Sequence, residues 1–256
     1  MHAKPIFIDA FAGVDARGNR AAVLMCDTLP SASQMQARAA QLNQPATAFV
    51  CLNEDAGLHP IRWFGAAREI ALCGHGALAA GHVLLTQSAR EEARLKTADG
   101  REVTVRKAEG ENRYELRLPA ILTQPRDWPE LAKALGGPTP QEIRCHDAGY
   151  AMAVYEDAVI VRALRPDWAA LAALGNLQVS ASAAGASETD IVSRVFSSGR
   201  EDAATGSAHA ALAPYWCARL GQEKITSYQT SAKGGRFECR IDSDMVWLGG
   251  ECRLVT

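Results

Sequence analysis

The sequence has no apolar run of the ~18 residues that a membrane-spanning helix needs. It has no strong charge of either sign. The 27 Lys and Arg against 29 Asp and Glu leave a formal net charge of −2. That balance gives no electrostatic case for a nucleic-acid partner or an anionic membrane surface. Aromatic residues make up only 6% of the chain and no basic patch interleaves them, so base stacking has no support. Seven cysteines (Cys26, Cys51, Cys73, Cys145, Cys217, Cys239 and Cys252) form no CxxC pair and no zinc-type spacing. Their odd number argues against a complete disulfide framework. His2, His59, His82 and His146 are scattered, and no metal site is read from them. A Ser-His-Asp hydrolase is disfavoured too: there is no G-x-S-x-G elbow, and Gly206-Ser207-Ala208 lacks the second glycine. The opening Met1-His2-Ala3-Lys4-Pro5 does not read as a signal peptide, so the expected location is the cytoplasm.

What the chain does have is 256 residues, 48% of them apolar and 22% charged, ordinary values for a globular protein with a sizeable core. Two stretches stand out. Leu72-Cys73-Gly74-His75-Gly76-Ala77-Leu78 opens with small residues and continues as an Ala/Leu-rich helix, apolar on nearly every face and so expected to be buried all round. Small residues at a helix start let a ligand approach backbone N–H groups that have no intrahelical acceptor. Those groups and the helix dipole favour an anion such as a carboxylate. Thr205-Gly206-Ser207-Ala208-His209-Ala210-Ala211-Leu212 repeats the design in the second half. The two helix starts are expected to grip one small anion together.

Strands are expected at residues 6–11, 21–25, 47–52 and 61–64, with a helix from Ser31 through Leu42 ended before Pro45. Residues 94–97, 103–106 and 114–118 alternate as a meander, and a domain boundary falls near residue 120. Beyond it, residues 127–135 and 168–174 read as helices, and residues 145–154, 158–163 and 190–196 as strands. Short strands at 227–231, 236–241, 245–248 and 251–255 close the chain, with tight turns at Gly234-Gly235 and Gly249-Gly250. Short, mostly antiparallel strands with one long helix per half argue against a doubly wound parallel sheet. They fit an α+β fold in which a curved sheet wraps one central helix, twice.

Several of these segments resemble the PhzF-like family, named for the isomerase of phenazine biosynthesis, within the wider diaminopimelate-epimerase-like fold. Ile8-Asp9-Ala10-Phe11 with Gly18-Asn19-Arg20-Ala21-Ala22-Val23 resembles the family's opening, where proline usually fills the place of Arg20. Arg62-Trp63-Phe64 and Glu69-Ile70-Ala71-Leu72-Cys73-Gly74-His75-Gly76 resemble its RWFTP…EVDLCGHAT segment. Glu201-Asp202-Ala203-Ala204-Thr205-Gly206-Ser207-Ala208-His209 resembles EDPVTGSAH, and Gln229-Thr230-Ser231-Ala232-Lys233-Gly234-Gly235 resembles QLSxRGG. The resemblance implies two pseudo-symmetric lobes, residues 1–120 and 121–256, with the last strand able to return to the first lobe. It also implies a cleft between the lobes, no cofactor, a homodimer, and isomerisation of a small carboxylic acid by proton transfer. One departure bears on function. The family usually reads NLSETAF and uses that glutamate to shuttle the proton, whereas here Asn43-Gln44-Pro45-Ala46-Thr47-Ala48-Phe49 puts Ala46 in its place. The alternative is therefore a carboxylate-binding protein with diminished catalysis on the same scaffold. The wider superfamily racemises amino acids with paired thiols. Thr205 stands where the second thiol would be, which disfavours that route.

Asp202, just before a helix start, reads either as a capping carboxylate or as the group that accepts a proton or binds a substrate amine. His75 reads as a backbone-bonded histidine or as its proton-transfer partner, and Ser207 as a helix-start hydroxyl or a substrate contact. Cys73 is either a packed thiol or, placed before a helix start, one with a lowered pKa. Gly74, Gly76 and Gly206 either permit close packing or form anion nests. Asn19 is a turn residue or a ligand contact, and Glu69 a supporting group or an exposed strand charge. Together Asp202 and His75 are the catalytic candidates. Cys73, Gly74, Gly76, Thr205, Gly206, Ser207 and Asn19 are the substrate-binding candidates.

Overall fold

The computed structural model describes residues 4–52, 57–186, 188–197 and 199–255. The chain forms two compact units. One comprises the chain up to Leu118 together with the stretch from Leu248 onward, and the other is Pro119–Trp247.

The first unit contains β1 (Ile6–Ala12), β2 (Asn19–Cys26), α1 (Ala32–Leu42), β3 (Ala46–Cys51), β4 (Leu58–Phe64), β5 (Glu69–Ile70), α2 (Gly74–Thr86), β6 (Glu92–Lys96), β7 (Glu102–Lys107) and β8 (Arg113–Pro119). In β1, Ile8 and Ala10 turn inward. Asp9 turns outward and takes both donors of Arg20 across the strand pair, at 2.8 and 2.9 Å. Helix α1 starts on a capping box: the Ser31 hydroxyl accepts from Gln34 N–H at 3.3 Å while Ser31 N–H donates to the Gln34 side chain at 3.0 Å. Asn43 closes it in the left-handed region, and Met35 and Ala39 pack under Leu24, Phe49 and Phe64. β2 and β3 are parallel, as are β4 and β6, each pair joined through a helix. The unit closes through β17 (Met245–Leu254), which pairs with both β1 and β8. The succession β17-β1-β2-β3-β4-β6-β7-β8 thus returns on itself.

Helix α2 is buried from Gly74 through Leu85, so its largely apolar sequence reflects a central position rather than a surface stripe. Gly81 lets it approach β7. A Cβ there would stand 2.3 Å from Val105 Cγ1 and 2.5 Å from Val105 Cβ. Gly81→Ala is expected to destabilise the fold by about 1–3 kcal/mol despite alanine's better helix propensity. Urea denaturation checks this, and an unchanged or raised midpoint would show that α2 and β7 separate freely.

The second unit contains β9 (Gln124–Pro125), α3 (Pro129–Ala134), β10 (Glu142–His146), β11 (Tyr150–Val154), α4 (Ala158–Ala163), α5 (Trp168–Ala173), β12 (Gln178–Ala184), β13 (Ile191–Ser197), β14 (Arg200–Asp202), α6 (Gly206–Leu220), β15 (Lys224–Gln229) and β16 (Gly235–Asp242). β11 and β12 are parallel around α4 and α5, and β13 and β15 are parallel around α6. Each unit therefore contains the same succession: a strand, a short hairpin strand, a buried helix, then a parallel strand. The whole is an α+β fold.

Two expectations need correction. Residues 158–163 form a helix, not a strand: the Asp157 carboxylate accepts Ile160 N–H at 2.9 Å, and only Val161 is fully buried. Five apolar residues and Arg162 in a stretch of six do not distinguish the two periods, and the cap decides. Gly249-Gly250 is not a turn but lies inside the continuous β17. A Cβ at Gly250 would stand 2.5 Å from Phe11 Cδ1, so this glycine serves close approach within a sheet. β12, with the sequence QVSASAA, lacks the bulky β-formers that would have marked it as a strand.

Candidate active site

In the first unit β4 and β5 form a hairpin with Trp63 opposite Ile70 and Phe64 opposite Glu69. One position before Trp63, Arg62 donates to both Glu69 oxygens at 2.7 and 2.6 Å and lies 5.2 Å over the Phe64 ring. The guanidinium holds the Glu69 carboxyl below its ordinary range. Glu69 is thus a brace for the hairpin that leads into α2. At the helix start Cys73 is extended and supplies no side-chain cap, and the first intrahelical bond is Ala77 N–H to Cys73 C=O at 2.8 Å. The N–H groups of Gly74 and Gly76 therefore precede any i→i−4 acceptor. Cys73 Sγ lies 3.5 Å from His75 Nδ1, and both side chains are buried. Asn19, fully buried, starts β2 opposite Ala10.

The second unit repeats the brace. Val195 lies opposite Asp202 and Phe196 opposite Glu201. Arg194 donates to both Glu201 oxygens at 2.7 and 3.0 Å, lies 5.1 Å over Phe196, and also donates to Leu164 C=O at 2.8 Å. At the start of α6, Asp202 Oδ1 accepts Ala203 N–H at 2.9 Å and Oδ2 accepts the Thr205 hydroxyl at 2.7 Å. Gln229, fully buried at the end of β15, ties this turn together. Its Oε1 accepts Thr205 N–H at 2.9 Å, and its Nε2 donates to Asp202 C=O at 2.7 Å and to Thr205 Oγ1 at 3.2 Å. Ser207 Oγ donates to Gln178 Oε1 at 3.1 Å. One turn on, His209 is fully buried, stacked on Phe237 at 3.6 Å and bonded to Thr205 C=O and Ser227 Oγ.

Cys73, Gly74, His75 and Gly76 thus meet in one helix start, with Asn19 in the same unit. Asp202, Thr205, Gly206 and Ser207 meet in the other. Asp202 and His75 belong to different units. Gln178 carries no signal in the sequence, and Trp63, His209 and Gln229 stand there only within segments that resemble the family. Gln178, His209 and Gln229 each bond to a residue 18 or more positions away, Ser207, Ser227 and Thr205 in turn. Most other cysteines are packed thiols: burial pushes Cys217 up to about 11 and raises Cys239 and Cys252 further.

The family model described as phenazine biosynthesis-like protein matches residues 8–254. An uncharacterized isomerase of Pseudomonas aeruginosa is 37% identical over 258 residues, covering 97% of this chain and 94% of that protein. The crystal structure of a PhzF-family phenazine biosynthesis protein from Enterococcus faecalis is similar at a TM-score of 0.88 and 34% identity, covering 99% of this chain and 98% of the other. A hydroxyproline epimerase from Agrobacterium vitis, solved with trans-4-hydroxy-L-proline, shares the fold alone at a TM-score of 0.62 and 11% identity, covering 98% of this chain and 90% of that one.

Proposed function

We propose a function for a chain that belongs to the phenazine biosynthesis-like family: it is an isomerase that moves a proton between carbons of a small amino or cyclic carboxylic acid, with no cofactor. The observation that carries this reading is the Asp202 carboxylate. Two donors, Ala203 N–H and the Thr205 hydroxyl, fix it at the start of the 15-residue buried helix α6. A fixed carboxylate can accept a proton from carbon and return it. The first-turn N–H groups and dipole of the same helix favour an anionic substrate. Asp202 and His75 are assigned to proton transfer. Thr205, Gly206, Ser207, Cys73, Gly74, Gly76 and Asn19 are assigned to holding the acid. A homodimer in the cytoplasm completes the assignment.

Ala46 favours a second reading. It is fully buried, and a methyl group has no ionisable proton, so the family's usual glutamate route is closed to this chain. A carboxylate-binding protein without turnover would have the same helix starts. Deuterium separates the two. The protein is incubated in deuterated water with a panel of small amino and cyclic carboxylic acids, and loss of carbon-bound proton signal is followed by NMR. Exchange at carbon is the expected result. Binding across the panel with no exchange would leave the binding-protein reading in its place.

A further inference from the structure

We propose that Trp63 is a ligand-binding residue whose indole N–H donates a hydrogen bond to a carboxylate oxygen of the ligand at the start of α2. The inference rests on the carboxylic-acid reading above and adds a residue, and a reason for Ala46, to it.

Trp63 is 1% exposed, and its Nε1 is buried with no hydrogen-bond partner among the described residues. A buried N–H without an acceptor destabilises a fold, and such groups are rare in native proteins unless something outside the chain satisfies them. This one is aimed at the helix start. A Cβ built on Gly76 would stand 2.7 Å from Trp63 Cδ1, 3.0 Å from Trp63 Nε1 and 3.0 Å from Cys73 Sγ. The polar edge of the indole and the Cys73 thiol therefore flank Gly76, whose own N–H lies in the first turn. A side chain at position 76 would collide with both, so only glycine brings its backbone N–H this close to the indole edge.

Strand register says what else shares that face of the sheet. Ala48 lies opposite Trp63 across β3 and β4, and Ala46, two residues earlier, points the same way. Ala21 is in register with Ala46 across β2 and β3, and Asn19 is two residues before Ala21. Thr47 and Phe49 alternate to the other face, where Phe49 packs with Met35 and Ala39 of α1. On the Trp63 face, positions 21, 46 and 48 thus present methyl groups where an acceptor would otherwise stand. A glutamate at 46 would be a diagonal cross-strand neighbour of Trp63, within reach of a long side chain. Alanine offers no acceptor there, so the ligand's own carboxylate supplies the oxygen. Among the described residues, the second unit puts Val195, which has no side-chain donor, at the matching strand position, opposite Asp202, and Ala208 at the first-turn place of Gly76. One helix start thus carries an extra hydrogen-bond donor and the other a carboxylate.

The test uses the full chain labelled with 15N-tryptophan, with benzoate as the probe and benzamide as its neutral isostere. The Trp63 indole signal is assigned by its disappearance in Trp63→Phe. Benzoate is expected to move that signal downfield, and benzamide to leave it in place. Trp63→Phe is expected to bind benzoate at least about tenfold more weakly by calorimetry. Ala46→Glu places an acceptor inside the protein, so it is expected to shift the signal without ligand and to weaken benzoate binding. Benzoate binding to the unaltered protein with the Trp63 signal unmoved, or undiminished binding by Trp63→Phe, overturns the Trp63 assignment alone. Failure of the unaltered protein to bind benzoate at all removes the carboxylic-acid reading and the Trp63 assignment together.

Discussion

Asp202→Asn is expected to lower the rate of carbon-proton exchange by about 10²–10⁴-fold, the range that a positioned acid–base group contributes. The amide has nearly the carboxylate's shape. Its oxygen can still accept Ala203 N–H, and the Thr205 hydroxyl, free to rotate, can accept where it donated before. Gln229 continues to hold Thr205 N–H and the Asp202 carbonyl, so the turn keeps its geometry. What the amide cannot do is take a proton from carbon and give it back. The loss should therefore fall on kcat, with KM and the thermal midpoint changing little. The measurement is initial-rate deuterium incorporation into whichever acid of the panel exchanges. An Asp202→Asn variant that exchanges at the parent rate takes Asp202 out of the proton path. One that unfolds shows the carboxylate to be structural first.

The elements that local chemistry determines were the ones legible in the chain. Ser31 with Gln34 announces a helix start through a bond between residues three apart, and the structure has that box. The Gly-led, Ala/Leu-rich segments at 74–86 and 206–220 read as buried helices because no polar stripe interrupts them. Where two outcomes share one local pattern, reading failed. The largely apolar stretch at 158–163 is helical because of a cap just outside it, and Gly249-Gly250 lies within a strand where Phe11, far away in sequence, packs against Gly250. The candidate site divides the same way. Its helix starts are local and visible. The groups that brace them are not: Gln229 lies 24 residues from Thr205, and Gln178 29 residues from Ser207. The repeated Arg–Glu brace is legible only in hindsight. Arg62 with Glu69 and Arg194 with Glu201 share a seven-residue separation that means nothing until a hairpin brings each pair together.

One group is expected to contribute a loss of about 3 kcal/mol of folding stability as pH drops from 6.5 to 4, a slope of ~1.4 kcal/mol per pH unit on top of what other titrating groups add. That group is His209. Burial pushes its pKa down to about 4 from the ordinary 6.5, while the bond to the Thr205 carbonyl offsets this in part. A carbonyl oxygen only accepts, so Nδ1, 2.8 Å from it, carries the proton; Nε2, 2.9 Å from Ser227 Oγ, is left to accept from the hydroxyl. Both bonds are thus made by the neutral ring. The sign follows from which state binds the proton. Above 6.5 the ring is neutral whether the chain is folded or not, and pH has no effect through it. Between 6.5 and 4 the unfolded chain takes up a proton that the folded chain refuses, so stability is lost as pH falls. Below about 4 both states are charged and this contribution levels off. Urea denaturation at half-unit steps reads the slope, and His209→Gln, which cannot titrate, should flatten the profile in that window. An identical profile for the two proteins would move the acid sensitivity to other groups. The consequence reaches the candidate site through two hydrogen bonds. His209 holds the carbonyl of Thr205, whose hydroxyl holds Asp202, so the proton that weakens the fold acts on the helix start that presents the carboxylate.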